Sequence, residues 1–316
     1  MVSRRAARAI ACGLALGWAA DQAFGDPRRL HPVAGFGSAA GALEGRLYAD
    51  DRCAGVAFTV ALVGAAAGLG WLLERCAGDR PWPRVALTAA ATWTVLGGRS
   101  LAREAGQIAS ALDEGDLARA RVGVSHLVSR DPSVLDGAGV ARAALESVAE
   151  NTSDAVVAPL LWGAVLGVPG LLGYRALNTL DAMVGYRNPR YHNFGWASAK
   201  LDDLANWVPA RIAGALAATL APLVGGRSAD AVRAVAEQAP AHPSPNGGVV
   251  EAAFAGALGV TIGGTNVYDG VAEDRGELGF GPAPSAADLA RAVRLATAVS
   301  AGSVLLAAAW AALRRR

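Results

Sequence analysis

The sequence predicts an all-α fold: a polytopic integral membrane protein of packed helices, with a small extramembranous helical subdomain at residues 99–151. Three observations carry this. Hydrophobic residues make up 53% of the 316-residue chain and charged residues only 18%, against about 25% charge in an average soluble domain, and mean hydropathy is +0.30. The charge deficit is uneven, because charge-free runs alternate with segments of ordinary polarity. Basic residues stand at both ends, Arg4, Arg5 and Arg8 against Arg314, Arg315 and Arg316, which places both termini in the cytoplasm and calls for an even number of spans, four to six. Residues 1–316 read as a single membrane domain.

Taken in order, Ala9 to Ala20 is a short apolar run behind three arginines. It reads as a signal peptide or, the preferred reading, as an uncleaved first helix reaching Phe24 with Asp21 near the interface. In Gly25 to Pro32, Asp26-Pro27 marks a helix start and His31-Pro32 a turn. Ala54 to Leu73 holds no charge over twenty positions, about 30 Å of helix, the thickness of the hydrocarbon layer. Val85 to Gly98 is apolar but short, and reads as the return arm of a hairpin or a buried helix. From Arg99 to Asn151 the composition turns polar, with Leu101, Ile108, Leu112 and Leu117 at near-helical spacing. Ala155 to Tyr174 is uncharged but broken by Pro159, Gly163, Gly167, Pro169 and Gly170. Val208 to Gly226 carries Arg211 near one end, where a cation can snorkel. Ala252 to Gly264 is too short to span, and Leu295 to Leu313 is a final span. Asp230 to Gly248 and Asp269 to Ser285 read as loop-like connections.

Several functions are excluded early. A net charge of +2 with no basic stripe gives no case for nucleic acid. The three cysteines, Cys12, Cys53 and Cys76, form no disulfide framework or zinc pattern. No GxxxxGK[ST] or GxSxG sequence is present, so nucleotide or acyl chemistry would need an unusual site.

Chemistry concentrates between Glu146 and Trp207, where two carboxylate-rich clusters flank the uncharged run. Glu146, Glu150 and Asp154 recur every four residues and would share one face of a continuous helix. Their mutual repulsion is relieved by a divalent cation or a cationic partner; the competing reading is a solvated acidic face ending in an N-cap at Thr152, Ser153 or Asp154. The second cluster holds Asn178, Asp181, Lys200, Asp202, Asp203 and Asn206. Adjacent carboxylates with asparagines suit oxygen coordination of magnesium, the alternative being an interfacial helix with a Lys200–Asp203 pair. His242 to Gly248 (HPSPNGG) presents backbone N–H groups to an anion at the start of the next helix, or is a plain turn; Thr261 to Gly270 (TIGGTNVYDG) reads similarly.

The runs GDPRRLHP, ESVAENTSD, NTLDAMVGYRNPRY, FGWASAKLDDLANWVPAR and HPSPNGG resemble, in order and spacing, the CobD/CbiB family of cobalamin biosynthesis from about Asp21 to about Gly270. The resemblance implies a multi-pass cell-membrane enzyme with a cytoplasmic active site, adenosylcobinamide-phosphate synthase. It would join aminopropanol, in phosphorylated form, to the f-propionate carboxylate of adenosylcobyric acid as an amide, with ATP and magnesium. Implied partners are those substrates, the lipid bilayer and other late corrinoid-pathway membrane enzymes. By motif position and charge, Glu146, Glu150, Asp154, Asp181, Asp202 and Asp203 are expected to supply metal ligation and a base, with Glu150, Asp154, Asp202 and Asp203 on magnesium. Arg28, Arg29, Lys200 and His242 are expected on phosphate, and Asp26, Asn151, Asn178, Asn206 and Asn246 around the substrates. ATP and the corrinoid are cytoplasmic, so Ala155 to Tyr174 is expected to be re-entrant or buried, bent at Pro159 and Pro169, uniting both clusters at one magnesium-phosphate site. The competing class is a corrinoid transporter, which composition alone favours; a membrane scaffold is a third.

Overall fold

The computed structural model describes residues 4–26, 31–128, 130–186, 188–268 and 271–313. Arg28 and Arg29 of the expected phosphate-binding set, and Pro27 of the expected helix start, lie outside the described residues. In chain order the elements are α1 (Arg4–Phe24), α2 (Pro32–Leu47), α3 (Arg52–Ala77), α4 (Pro81–Val95), α5 (Gly98–Asp113), α6 (Leu117–Val124) and α7 (Gly137–Thr152). A π-helical stretch (Ser153–Val157) leads into α8 (Ala158–Leu166), followed by α9 (Val168–Val184), α10 (Trp196–Leu220), α11 (Ser228–Glu237) and α12 (Gly247–Leu258). An antiparallel hairpin of β1 (Thr261–Tyr268) and β2 (Val271–Gly279) precedes α13 (Ala286–Leu313).

The helical expectation holds except for this hairpin, which occupies what reads in the sequence as loop. The signal for it is present: Thr, Ile, Val and Tyr before Asp269-Gly270, a dipeptide favoured between hairpin strands. Two paired glycines and a mixed polar pattern hide the alternation that marks a strand. Within Asp230 to Gly248, likewise expected as loop, Ser228–Glu237 is helical and buries Ala231 and Ala234; alanine faces of this kind carry little hydrophobic contrast. His31-Pro32 is a helix start rather than a turn, with His31 Nδ1 accepting the Val33 N–H at 3.2 Å and Pro32 at the first helical position.

Three described helices are long and apolar enough to cross a bilayer: Arg52–Ala77, Ala286–Leu313 and α10 with its continuation, Trp196–Val224. That is fewer than the four to six spans expected, because α4, α8 and α9 stop at 15, 9 and 17 residues. These helices mark a membrane protein. The broken segment forms two helices, α8 and α9, and is bent at neither Pro159 nor Pro169, contrary to expectation. Its bend is at Gly167, with φ +74°, a backbone conformation open to glycine and strained for other residues; Pro159 and Pro169 each sit in a first helical turn, where their missing N–H is harmless.

The described chain divides into two compact units. The first comprises Met1–Gly97, Asp154–Asn206 and Ser303–Arg316, the second Gly98–Ser153 and Trp207–Gly302. In the first, α1 lies along α4 and α3 along α9. Leu14, Leu96, Leu160 and Leu171 fill one apolar cluster, and Phe58, Leu180, Val184 and Phe194 another. Glu74 at the end of α3 accepts the Val168 N–H at 2.8 Å, capping α9, with Arg84 3.5 Å from its other oxygen. We expect Glu74→Ala to destabilise by about 1 kcal/mol, the usual value of a helix cap, read as a melting shift of a few degrees in detergent. In the second unit, α12 packs against α11, α7 and the hairpin, with Phe254 and Leu145 fully buried.

Candidate functional site

Each unit holds one buried polar cluster. In the second unit Glu146 and Glu150 stand one turn apart on α7. The Glu146 carboxylate, its side chain 3% exposed, pairs with the Arg130 guanidinium and accepts the Gly263 N–H at 2.9 Å. That N–H is available because the strand register shifts between Gly263 and Thr265, where Gly263 (φ +84°) and Gly264 (φ +76°) take conformations suited to glycine. The Gly263 carbonyl accepts Arg142 Nη1 at 2.9 Å, so α7 holds both faces of that peptide pair. Glu251 of α12 completes the cluster, with His242 Nε2 3.6 Å and Arg275 Nη2 3.5 Å from its Oε1.

Burial, more than any neighbour, sets the ionisation here. It pushes the Glu251 carboxyl up to about 8; Arg275 opposes the rise, while Glu150 and Glu146 add to it. Burial also raises Glu150, against the pull of Arg275 and Arg130. His242 is lowered to about 4, by burial first and by Arg275 second. Near pH 7 the imidazole is therefore neutral. Its Nδ1 accepts the Ser244 N–H at 3.1 Å, and Ser244 Oγ accepts the Gly247 N–H at 3.0 Å. The loop thus spends N–H groups on itself rather than presenting them to an anion.

In the first unit the π-helical stretch does the positioning. Widening the turn displaces backbone carbonyls from the regular ladder; Ala155 O accepts the Gly97 N–H at 3.3 Å, and Asp154 O lies 3.1 Å from the Tyr174 hydroxyl. That hydroxyl donates to Asn206 Oδ1 at 2.7 Å, and Asn206 Nδ2 donates to Asp202 Oδ2 at 2.8 Å. Asn178 Nδ2 lies 3.4 Å from the other Asp202 oxygen. Asp202 and Asn206 are 8% and 1% exposed. Burial raises the Tyr174 hydroxyl, Asp154 and Asp202 adding to the effect. Arg175, whose charge is felt by Tyr174, is itself acted on by Asp26 and Asp154, which ties the GDP motif to this cluster.

The structure therefore sorts the expected residues. Asp154, Asn178, Asp202 and Asn206 meet through Tyr174, while Glu146 and Glu150 meet Arg130, Glu251 and Arg275. The shared helical face expected of Glu146, Glu150 and Asp154 breaks after Thr152, since the π turn alters the angular step before Asp154, and no N-cap is formed there. Asp203 is half-buried and sits 3.7 Å from the exposed Lys200. Asp181 is half-buried further along α9. Asn151 returns its amide to Ser147 O at 3.0 Å. Asn246 Oδ1 accepts Arg211 Nη1 at 3.0 Å, Arg211 lying over the Trp207 ring. Among the described residues no group of three or more His, Cys, Asp or Glu is placed to hold a metal ion. Sequence reasoning missed Arg130, Tyr174, Arg175, Glu251 and Arg275. Glu251 had a signal, being the only charge in GGVVEAAFAGAL.

A largely helical chain with membrane-length helices and two buried, titratable clusters defines a class of helical membrane protein. Its family follows from comparison. Residues 14–296 match the profile described as CobD/Cbib protein. The chain is 54% identical over 297 residues to "Cobalamin biosynthesis protein CobD" of Mycobacterium tuberculosis, covering 94% of each. Proteins of the same name from Geobacter metallireducens (48% over 255 residues; 79% of this chain, 80% of that one) and Chromobacterium violaceum (45% over 302 residues; 93% and 92%) are also similar. No solved structure matches. The chain belongs to the CobD/CbiB family of cobalamin biosynthesis proteins.

Proposed function

We propose that this chain is an amide-forming ligase of corrinoid synthesis, adenosylcobinamide-phosphate synthase. It would join the f-propionate carboxylate of adenosylcobyric acid to aminopropanol phosphate at the cytoplasmic side of the cell membrane. The observation that supports this is the assembly of the family-like motif residues into buried ionisable clusters, which a passive scaffold would have no use for. A buried charge network is expensive to desolvate and is weak evidence for stability alone.

A free carboxylate does not condense with an amine in water, because its leaving group is poor. Transfer of a phosphoryl group from ATP supplies a better one, and magnesium, when bound, neutralises the phosphate charge. Magnesium keeps several waters and takes one or two protein carboxylates beside phosphate oxygens. Asp202, oriented by Asn178 and Asn206, fits that demand, with Asp154 on the neighbouring π turn as its partner. The same two amides fix Asp202 in direction. Tyr174 holds Asn206 in place through its hydroxyl. Glu146 and Glu150 are poor candidates for the metal, because guanidinium groups already face them.

The broken α8–α9 segment is also a transporter trait. Incubating the purified protein with adenosylcobyric acid, aminopropanol phosphate and magnesium-ATP separates the readings. The expected product is the amide, detected by mass; failure to form it with all three present overturns the enzyme and favours transport.

A further inference from the structure

Arg175 of α9 belongs to the polar cluster of the first unit, yet most of its donors are unspent. A guanidinium carries five N–H donors in a planar fork and has no acceptor. Among the described residues the Arg175 side chain makes one hydrogen bond, from Nη1 to Asn178 Oδ1, at the long distance of 3.5 Å. Its Nε is buried without a partner. Buried donors are nearly always satisfied, so an orphan of this kind calls for an explanation. Burial draws the guanidinium down from its ordinary value; Tyr174, Asp26 and Asp154 oppose this, each through space alone.

The arrangement keeps the cation off the neighbouring acid. Asn178 stands between Arg175 and Asp202, its Oδ1 accepting from Nη1 and its Nδ2 lying 3.4 Å from Asp202 Oδ1. The three-residue spacing on α9 puts Asn178 on the same face as Arg175. An arginine that neutralises a carboxylate commonly pairs with it through two parallel bonds. Here the fork is held one amide away from Asp202, which leaves its Nε edge for a third group with oxygens of its own. Asp26, Asp154 and Asp202 set three carboxylates around one guanidinium, a balance that disfavours a further bare carboxylate. A phosphate group accompanied by a divalent cation suits it better: the cation answers the carboxylates, and the guanidinium answers the phosphate.

We propose that Arg175 binds a phosphate group beside Asp202, offering Nε–H and an Nη–H to two of its oxygens. This rests on the amide-forming reading above, in which Asp202 and Asp154 are the magnesium ligands. Two phosphate-bearing compounds enter that reaction, ATP and aminopropanol phosphate, and either presents oxygens that match the fork.

Arg175→Lys keeps the charge and removes the fork. The test is calorimetric binding to the full-length protein in detergent, with magnesium-ATP, aminopropanol phosphate and adenosylcobyric acid each titrated alone. We expect R175K to weaken at least one of the two phosphate compounds about 10- to 100-fold, the scale of one charged hydrogen bond. Adenosylcobyric acid should bind as it does to wild type. A loss confined to magnesium-ATP assigns the contact to the nucleotide, and one confined to aminopropanol phosphate assigns it to the amine. Equal losses for all three compounds mean a structural role and overturn the proposal. A loss for adenosylcobyric acid alone places a carboxylate at the fork and overturns it as well, as does unchanged binding of all three. Should R175K not accumulate, R175Q carries the same titrations and should show a loss at least as large. A wild-type protein that makes no amide defeats the ligase reading itself, whereas amide formation by a protein whose phosphate binding is indifferent to R175K defeats only this assignment.

Discussion

Glu146→Gln is expected to cost about 3–5 kcal/mol of stability, the range for removing one partner of a buried ion pair. Both carboxylate oxygens of Glu146 are committed, one to Arg130 and one to the Gly263 N–H. Glutamine can still accept one of these bonds, but it takes the negative charge out of the contact with the Arg130 guanidinium, whose side chain is 5% exposed. It also removes one of the carboxylates that act on Glu150 and Glu251, so their mutual repulsion falls. The first effect dominates, because the ion pair is in direct contact and the others act at a distance. Thermal unfolding in detergent should show the loss, with protease sensitivity appearing first around Thr261 to Gly279, whose bulge Glu146 holds. Glu146→Gln at wild-type stability would mean that the Arg130 contact carries no weight.

What could be read in advance follows from which forces are local. The length of α3 and the break before α9 are written in hydropathy and in glycine and proline placement, and both are as the sequence implies. Partners across the chain are not written locally. Arg130 sits in an ordinary Arg-Asp-Pro punctuation, and Arg275 in a polar stretch that gives no hint of a buried target. Asp154 shows a subtler limit. The spacing of Glu146, Glu150 and Asp154 is regular, but a π turn changes the rotation per residue without changing the count, so regular spacing does not imply a shared face. Adjacent Asp202 and Asp203 show the converse. They look equivalent in sequence, yet neighbours on a helix point about 100° apart, and only one of them faces the interior.

That asymmetry sets the other large effect. Asp202→Ala is expected to reduce amide formation 10²-fold or more, the scale seen when a positioned charge-stabilising group is lost, while Asp203→Ala is expected to change it less than tenfold. Asp202 is 8% exposed and bound on both oxygens by asparagine amides, and Asn206 is in turn held by Tyr174. Asp203 sits at the surface beside Lys200, where an ion pair is screened by water. Removing Asp202 also leaves the amides of Asn178 and Asn206 without their acceptor. A loss of folding must therefore be told apart from a loss of chemistry. Asp202→Asn does this, since it preserves the shape and one acceptor oxygen while removing the charge. If Asp202 handles magnesium-bound phosphate, the asparagine variant should melt close to wild type, lose rate, and show a raised magnesium requirement. Equal rates for Asp202→Asn and wild type at limiting magnesium would refute the assignment, leaving the Asp154–Tyr174–Asn206–Asp202 chain as a structural brace for α9 and α10.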